Sequence, residues 1–143
     1  MSLRFFTVYG PRQRPEMAFN LFSRGMLAHK PLSVFVDGAQ TRDFTFISDI
    51  VDGLVASIAA SPGSIMNLGG GSRVTLREAL DVLVEVSGVV PRIELAERQA
   101  GDVLDTWASI ERAREEIGYE PKVTLSEGLA AEWRWLAGRN AGR

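Results

Sequence analysis

Five side chains in polar loops are the first candidates for chemistry: Arg12, Arg14, Arg42, Arg98 and Gln99. A guanidinium offers five donors in a rigid fork, which suits a phosphate or a carboxylate. If several of these groups converged on one cleft they would neutralise and orient a diphosphate. Spacing alone does not show convergence, and the plainer reading of each is a solvated loop charge. Arg42 stands in the most informative setting, Gln40-Thr41-Arg42-Asp43-Phe44-Thr45-Phe46-Ile47-Ser48-Asp49-Ile50. Turn residues there give way to alternating aromatic and small polar side chains, then to an aspartate of helix-capping type. A strand running into a helix follows, with Arg42 at the strand's entry. Taken alone, Arg42 reads as an ordinary ion pair with Asp43 or Asp49.

Other reactive residue types add little. Gly69-Gly70-Gly71 follows a strand, where glycines cradle phosphate in some folds. The run lacks the spacing of the dinucleotide fingerprint and the Lys-Ser/Thr ending of a phosphate-binding loop, so a flexible turn is the stronger reading. His29 is the only histidine and sits beside Lys30 at a helix end, a surface position. Asp43, Asp49 and Asp102 form no metal-like cluster. Neither Tyr9 nor Tyr119 has a lysine four residues on to steady a phenolate. These are parts for gripping a ligand, and no catalytic residue or metal ligand is assigned.

The elements that must position these groups come from a chain of 143 residues with a formal net charge of -2. That length supports one domain with a real core. The balanced charge gives no case for a nucleic-acid or acidic-membrane partner. Cysteine is absent, which excludes disulfides and thiol nucleophiles and fits a reducing compartment such as the cytoplasm. No apolar run approaches the roughly 18 residues needed to span a bilayer.

Aromatic and β-branched runs predict strands over Leu3–Val8, Leu32–Val36, Phe44–Ile47, Ile65–Leu68 and Pro91–Leu95. Helices are predicted over Glu16–Leu27, Ile50–Ala60, Leu76 to about Ser87, Ile110–Ile117 and from Thr124 or Ser126 through Leu136. Asp49 is expected to cap the second helix and Ile50, Leu54, Val55 and Ile58 to form its buried stripe. Thr75 with Glu78 reads as a capping box. Gly88 and Gly118 read as helix stops. In the last helix Leu125, Leu129, Trp133 and Leu136 face the core, with Trp135 on the other side as a possible partner surface. Leu3–Val8 and Ile65–Leu68 have the character of central parallel strands, so the class is α/β.

Four stretches in order carry a family resemblance: Leu3 to Ala18, Gly38 to Phe46, Asn67 to Gly71, and Gly101-Asp102-Val103. They resemble the C-terminal portion of the extended short-chain dehydrogenase/reductase family, nearest to nucleotide-sugar epimerases and dehydratases of the UDP-glucuronate or UDP-glucose 4-epimerase kind. The fold this implies is the C-terminal part of an extended Rossmann-type NAD(P)-binding fold, late parallel strands plus a small α/β substrate-binding domain. Residues 1–143 would be a single region, with the dinucleotide-binding domain and its catalytic tyrosine and lysine absent. The implied function is the substrate-binding half of an NAD-dependent UDP-hexose or UDP-hexuronate 4-epimerase, inactive by itself. A self-associating nucleotide-sugar module, or part of a dehydratase or decarboxylase, are the alternatives. NAD is implied for the complete enzyme and not for this chain alone. A UDP-sugar is the implied ligand, and the implied partner is a separate Rossmann domain or a second copy.

Matched residue by residue, the resemblance places Phe5 and Thr7 beside nicotinamide and Leu32 to Val34, Leu32 and Val34 included, along the uracil. It places Arg42 on the diphosphate and Asp102 near the ribose. Gln99 stands where many relatives have an arginine, with Arg98 as its neighbour, and Arg12 and Arg14 approach phosphate or sugar.

Overall fold

The structure, a computed structural model, describes residues 1–35, 38–71, 73–96 and 104–140. The opening aromatic run, expected as one strand, is two: β1 (Ser2–Phe5) and β2 (Thr7–Tyr9), interrupted at Phe6. Then come α1 (Ala18–Leu27), β3 (Leu32–Phe35), β4 (Thr41–Arg42), β5 (Phe44–Phe46) and α2 (Ile47–Ala56), the last extended by one 3-10 turn. The chain continues through β6 (Ile65–Leu68), β7 (Val74–Thr75), α3 (Leu76–Ser87), β8 (Ile93–Ala96), α4 (Glu111–Ile117) and α5 (Leu125–Asn140).

The break at Phe6 arises because the two halves serve different neighbours. β1 pairs in parallel with β6, Phe5 opposite Leu68, while β2 pairs in parallel with β5, Thr7 opposite Phe44. β3 and β8 form a third parallel pair, and β4 and β7 a short antiparallel one. Parallel partners need long crossovers, and helices supply them here, the arrangement of a Rossmann-like α/β fold.

The expected division into late sheet strands and a separate substrate domain is not what packing shows. Tyr9 and Phe44, from the β2–β5 pair, share one buried cluster with Phe19 of α1, Leu32 of β3, Leu83 of α3 and Leu129 of α5. Edge-on aromatic contacts tie it together, Tyr9 to Phe19 at 5.2 Å and to Phe46 at 5.5 Å. A second cluster gathers Ile50, Met66, Leu68, Ala113 and Tyr119. Each large side chain so buried stabilises by about 1.5–3 kcal/mol.

The expected face of α2 holds at Ile50 and fails at Leu54, Val55 and Ile58. The helix starts at Ile47, so Asp49 lies in its first turn instead of capping it, and the buried positions are Asp49, Ile50, Gly53 and Ser57. Leu54, Val55 and Ile58 point outward, Ile58 at 84% exposure. Gly53 explains the choice: a Cβ there would come within 2.8 Å of the Tyr119 ring, so the contact face is the one small enough for close approach.

Helix ends are where local sequence decided the outcome. Thr75 and Glu78 close the expected capping box, and Gly88 ends α3 at φ 68°. Thr124 and Glu127 form a second reciprocal pair that starts α5, and Gly118 ends α4 at φ 65°. Trp133 packs against the first core cluster, and Trp135 lies under the Arg139 guanidinium at 5.2 Å. Among the described residues no helix is long and apolar enough to cross a membrane.

Candidate functional site

Asp43 organises the region around Arg42. Its side chain is 0% exposed, and its carboxylate accepts from the Gly70 amide at 2.5 Å, the Thr45 hydroxyl at 3.2 Å and the Ala108 amide at 3.3 Å. Its carbonyl accepts from the Thr7 amide at 3.1 Å. Several donors on one carboxylate make its burial tolerable. The result is a rigid junction of β2, β5, the end of β6 and the segment before α4. The surface ion pair with Arg42, the plain expectation, is therefore not what Asp43 does.

Arg42 emerges from that junction half-buried. Its guanidinium donates to the Thr41 carbonyl at 2.8 Å and the Leu104 carbonyl at 3.1 Å. Thr41 also takes part in main-chain pairing with Leu104 and Thr106, and its hydroxyl donates to the Asp105 carboxylate, which Arg73 approaches at 3.5 Å. Two carbonyls thus fix the direction of a fork of the kind that suits an anionic group. Arg98, Gln99 and Asp102 lie outside the described residues. Of the described residues before and after them, Ala96 pairs with β3 and Leu104 accepts from the Thr41 amide.

Thr7 meets Asp43 through its amide, and Phe5, at 50% exposure, stands one position before the break. Phe5 is at the carboxyl end of parallel strand β1, the end where open α/β folds bind ligands, and Thr7 follows it at the start of β2. Leu32 and Val34 are corrected in one respect. Their side chains lie in the first core cluster, and Ser33 between them is the exposed side chain. Arg12 and Arg14 stand on the turn after β2, Arg12 at φ 71° and Arg14 3.4 Å from Glu16.

Gly69-Gly70-Gly71 is no flexible turn. A Cβ at Gly69 would fall 2.6 Å from that of Ala108, and one at Gly70 would strike the Phe44 carbonyl. The glycines let β6 press against Asp43, and a carboxylate in that place repels a pyrophosphate. Both tyrosines are turned inward. The Tyr119 hydroxyl donates to the Gly69 carbonyl at 3.0 Å, and that of Tyr9 reaches the Thr124 carbonyl at 3.4 Å. Burial first, then nearby carboxylates, pushes both phenols up, Glu132 leading for Tyr9 and Asp49 for Tyr119. His29 is exposed at the end of α1 as expected, and no metal-like cluster occurs among the described residues. A cleft of about 870 Å³ lies elsewhere, between Leu21 and Arg24 of α1, Ser33 and the end of α5. We place the candidate site at Arg42, because its guanidinium is held by the Thr41 and Leu104 carbonyls beside the buried Asp43 junction.

Comparison with known proteins fits that geometry. A model of the NAD dependent epimerase/dehydratase family matches residues 1–69. UDP-glucuronate 4-epimerase of Thermodesulfobacterium geofontis is 37% identical, the match covering 93% of this chain and 42% of that protein. The Bacillus cereus UDP-glucuronic acid 4-epimerase in complex with UDP-glucuronic acid and NAD superposes with a TM-score of 0.91 at 40% identity, over 96% of this chain and 45% of that one. The chain is thus similar to UDP-sugar 4-epimerases along most of its own length. A Thermotoga maritima UDP-glucose 4-epimerase with UDP-glucose gives the same TM-score of 0.91 at 28% identity, over 96% of this chain and 46% of that one.

These matches correct the narrower expectations. On sequence alone the chain reads as only a C-terminal, substrate-binding part, inactive alone, without NAD and waiting for a Rossmann partner or a second copy. The likeness instead runs through 93–96% of the chain and extends to a structure holding both NAD and UDP-glucuronic acid. The chain spans 42–46% of the length of these relatives.

Proposed function

We propose that this protein serves the NAD-dependent interconversion of UDP-hexoses or UDP-hexuronates at C4. The observation that carries the reading is the aimed Arg42 fork above buried Asp43, in a fold that superposes with a TM-score of 0.91 on a UDP-glucuronic acid 4-epimerase. Arg42 would neutralise and orient the diphosphate, Ser33 and the β3 main chain would lie along the base, and Arg12 and Arg14 would approach the phosphate or sugar end. We assign Asp102 to the ribose and Gln99 with Arg98 to a phosphate oxygen.

The end of β1 and the start of β2 fit a nicotinamide, since Phe5 is half exposed and Thr7 is tied by its amide to the Asp43 carbonyl. When bound, NAD supplies the hydride acceptor and donor. The residues of this chain hold the nucleotide while the sugar presents first one face and then the other. A nucleotide-sugar reaction using NAD, in a chain without cysteine, points to the cytoplasm.

Calorimetric titration with UDP-glucuronate should show binding that Arg42→Ala weakens by about tenfold or more, the loss of a charge-assisted bidentate contact. Incubation with UDP-glucuronate and NAD should yield its C4 epimer. Unchanged affinity in the variant removes the assignment of Arg42, and substrate bound but returned unaltered refutes the epimerase reading.

A further inference from the structure

Glu132 is buried in the middle of α5 at 1% exposure, yet one of its carboxylate oxygens has no partner among the described residues. The other accepts a single hydrogen bond, from the Gly10 amide at 3.0 Å, across 122 residues of sequence. Asp43 accepts from three donors in a similar setting; Glu132 does not recover its lost hydration in that way. A neutral acceptor would satisfy the Gly10 amide without burying an ionisable group, so stability alone gives no reason for a carboxylate there.

What it holds is specific. Gly10 has φ +136°, and a Cβ on it would come within 2.7 Å of Ile47 and 3.0 Å of Phe46, so its place and amide direction are fixed. From Gly10 the chain turns back at once, the Gln13 amide donating to the Gly10 carbonyl at 3.0 Å. Gln13 then locks to the first turn of α1 through Asn20 at 3.0 and 2.8 Å. Between these anchors stands Arg12, whose φ of 71° is unusual for a side chain with a Cβ. We propose that Glu132 is a positioning residue: from α5 it holds the Gly10 amide and thereby sets where the turn of residues 10–14 presents Arg12 and Arg14. What the arginines serve rests on the nucleotide-sugar reading; the anchoring does not.

Hydrogen–deuterium exchange and UDP-glucuronate titration on wild type, Glu132→Leu and Glu132→Gln test it. Glu132→Leu should speed exchange in the 9–17 peptide by about tenfold and weaken UDP-glucuronate by a similar factor, while Glu132→Gln, which keeps an acceptor, stays near wild type on both. Unaltered exchange in Glu132→Leu overturns the anchoring; altered exchange with unaltered affinity overturns the positioning role. A wild type that binds no UDP-glucuronate refutes the nucleotide-sugar reading, and exchange still decides the anchor. If Glu132→Leu does not fold, the Gly10 amide proton resonance decides. It should titrate near neutral pH in wild type and not in Glu132→Gln, and a flat wild-type response overturns the proposal. The other ionisable groups that act on Tyr9 beside Glu132 are Asp49 and Glu127. Glu127 is held below the usual carboxylate range by Thr124, and the Tyr9 phenol is raised well above neutrality.

Discussion

Replacing Glu132 by Gln should make the protein more stable, and only above a definable pH. Burial dominates at this carboxyl and the Gly10 hydrogen bond only partly offsets it, so its pKa rises from 4.5 to about 7. A folded state that takes up a proton more readily than the unfolded chain is stabilised by acid. The contribution is therefore present in full below pH 4.5, declines as pH rises, and is gone once pH passes about 7. At about 1.4 kcal/mol per pKa unit, that window is worth about 3 kcal/mol, a large share of a typical domain's total stability of about 5–15 kcal/mol. Glutamine keeps an acceptor for Gly10 and cannot ionise. Urea denaturation of both proteins at about pH 5 and about pH 8 should show similar stabilities in acid, and an advantage for Glu132→Gln near 3 kcal/mol in base. Glu78, Glu116 and Glu127 are all held low by hydrogen bonds and titrate beneath this window. An equal difference between the two proteins at both pH values would refute the reasoning, since it would mean that Glu132 gains no proton on folding.

Asp43→Ala should cost about 3 kcal/mol or more in chemical denaturation, because the Gly70 and Ala108 amides lose their buried acceptor. Gly128→Ala puts a Cβ onto the Tyr9 hydroxyl and ring; overpacking of this kind costs about 1–3 kcal/mol and should lower the melting temperature. Thr124→Ala removes the cap of α5 and should lose about 1 kcal/mol, which Thr124→Ser largely restores.

Features set by a few neighbouring residues were legible before any fold was known. The Thr75–Glu78 box, the glycine stops at 88 and 118 and the strand Ile65–Leu68 needed only local chemistry. The failures share a long-range cause. Nothing within Leu3–Val8 reveals that its halves pair with strands some 40 and 60 residues apart, so the break at Phe6 is invisible there. The stripe of α2 misled because Tyr119 sits over Gly53, making the small face the contact face. Arg42 stood out by its motif, but Asp43 looked like its counter-ion and not like a buried hub. Glu132 gave no signal except a carboxylate between Ala131 and Trp133 on a helix that otherwise showed its core face plainly. That signal becomes readable only once α5 is known to lie over Gly10.

The interruption at Phe6 makes the first nine residues a coupling rod between two ladders. Lengthening the rod by one residue would rotate everything beyond it by half a turn. Tyr9 would then leave its aromatic nest, and the Gly10 amide would turn its back on α5. Insertions should accordingly be far less tolerated here than in the open bend at Gly63, where a Cβ would meet nothing.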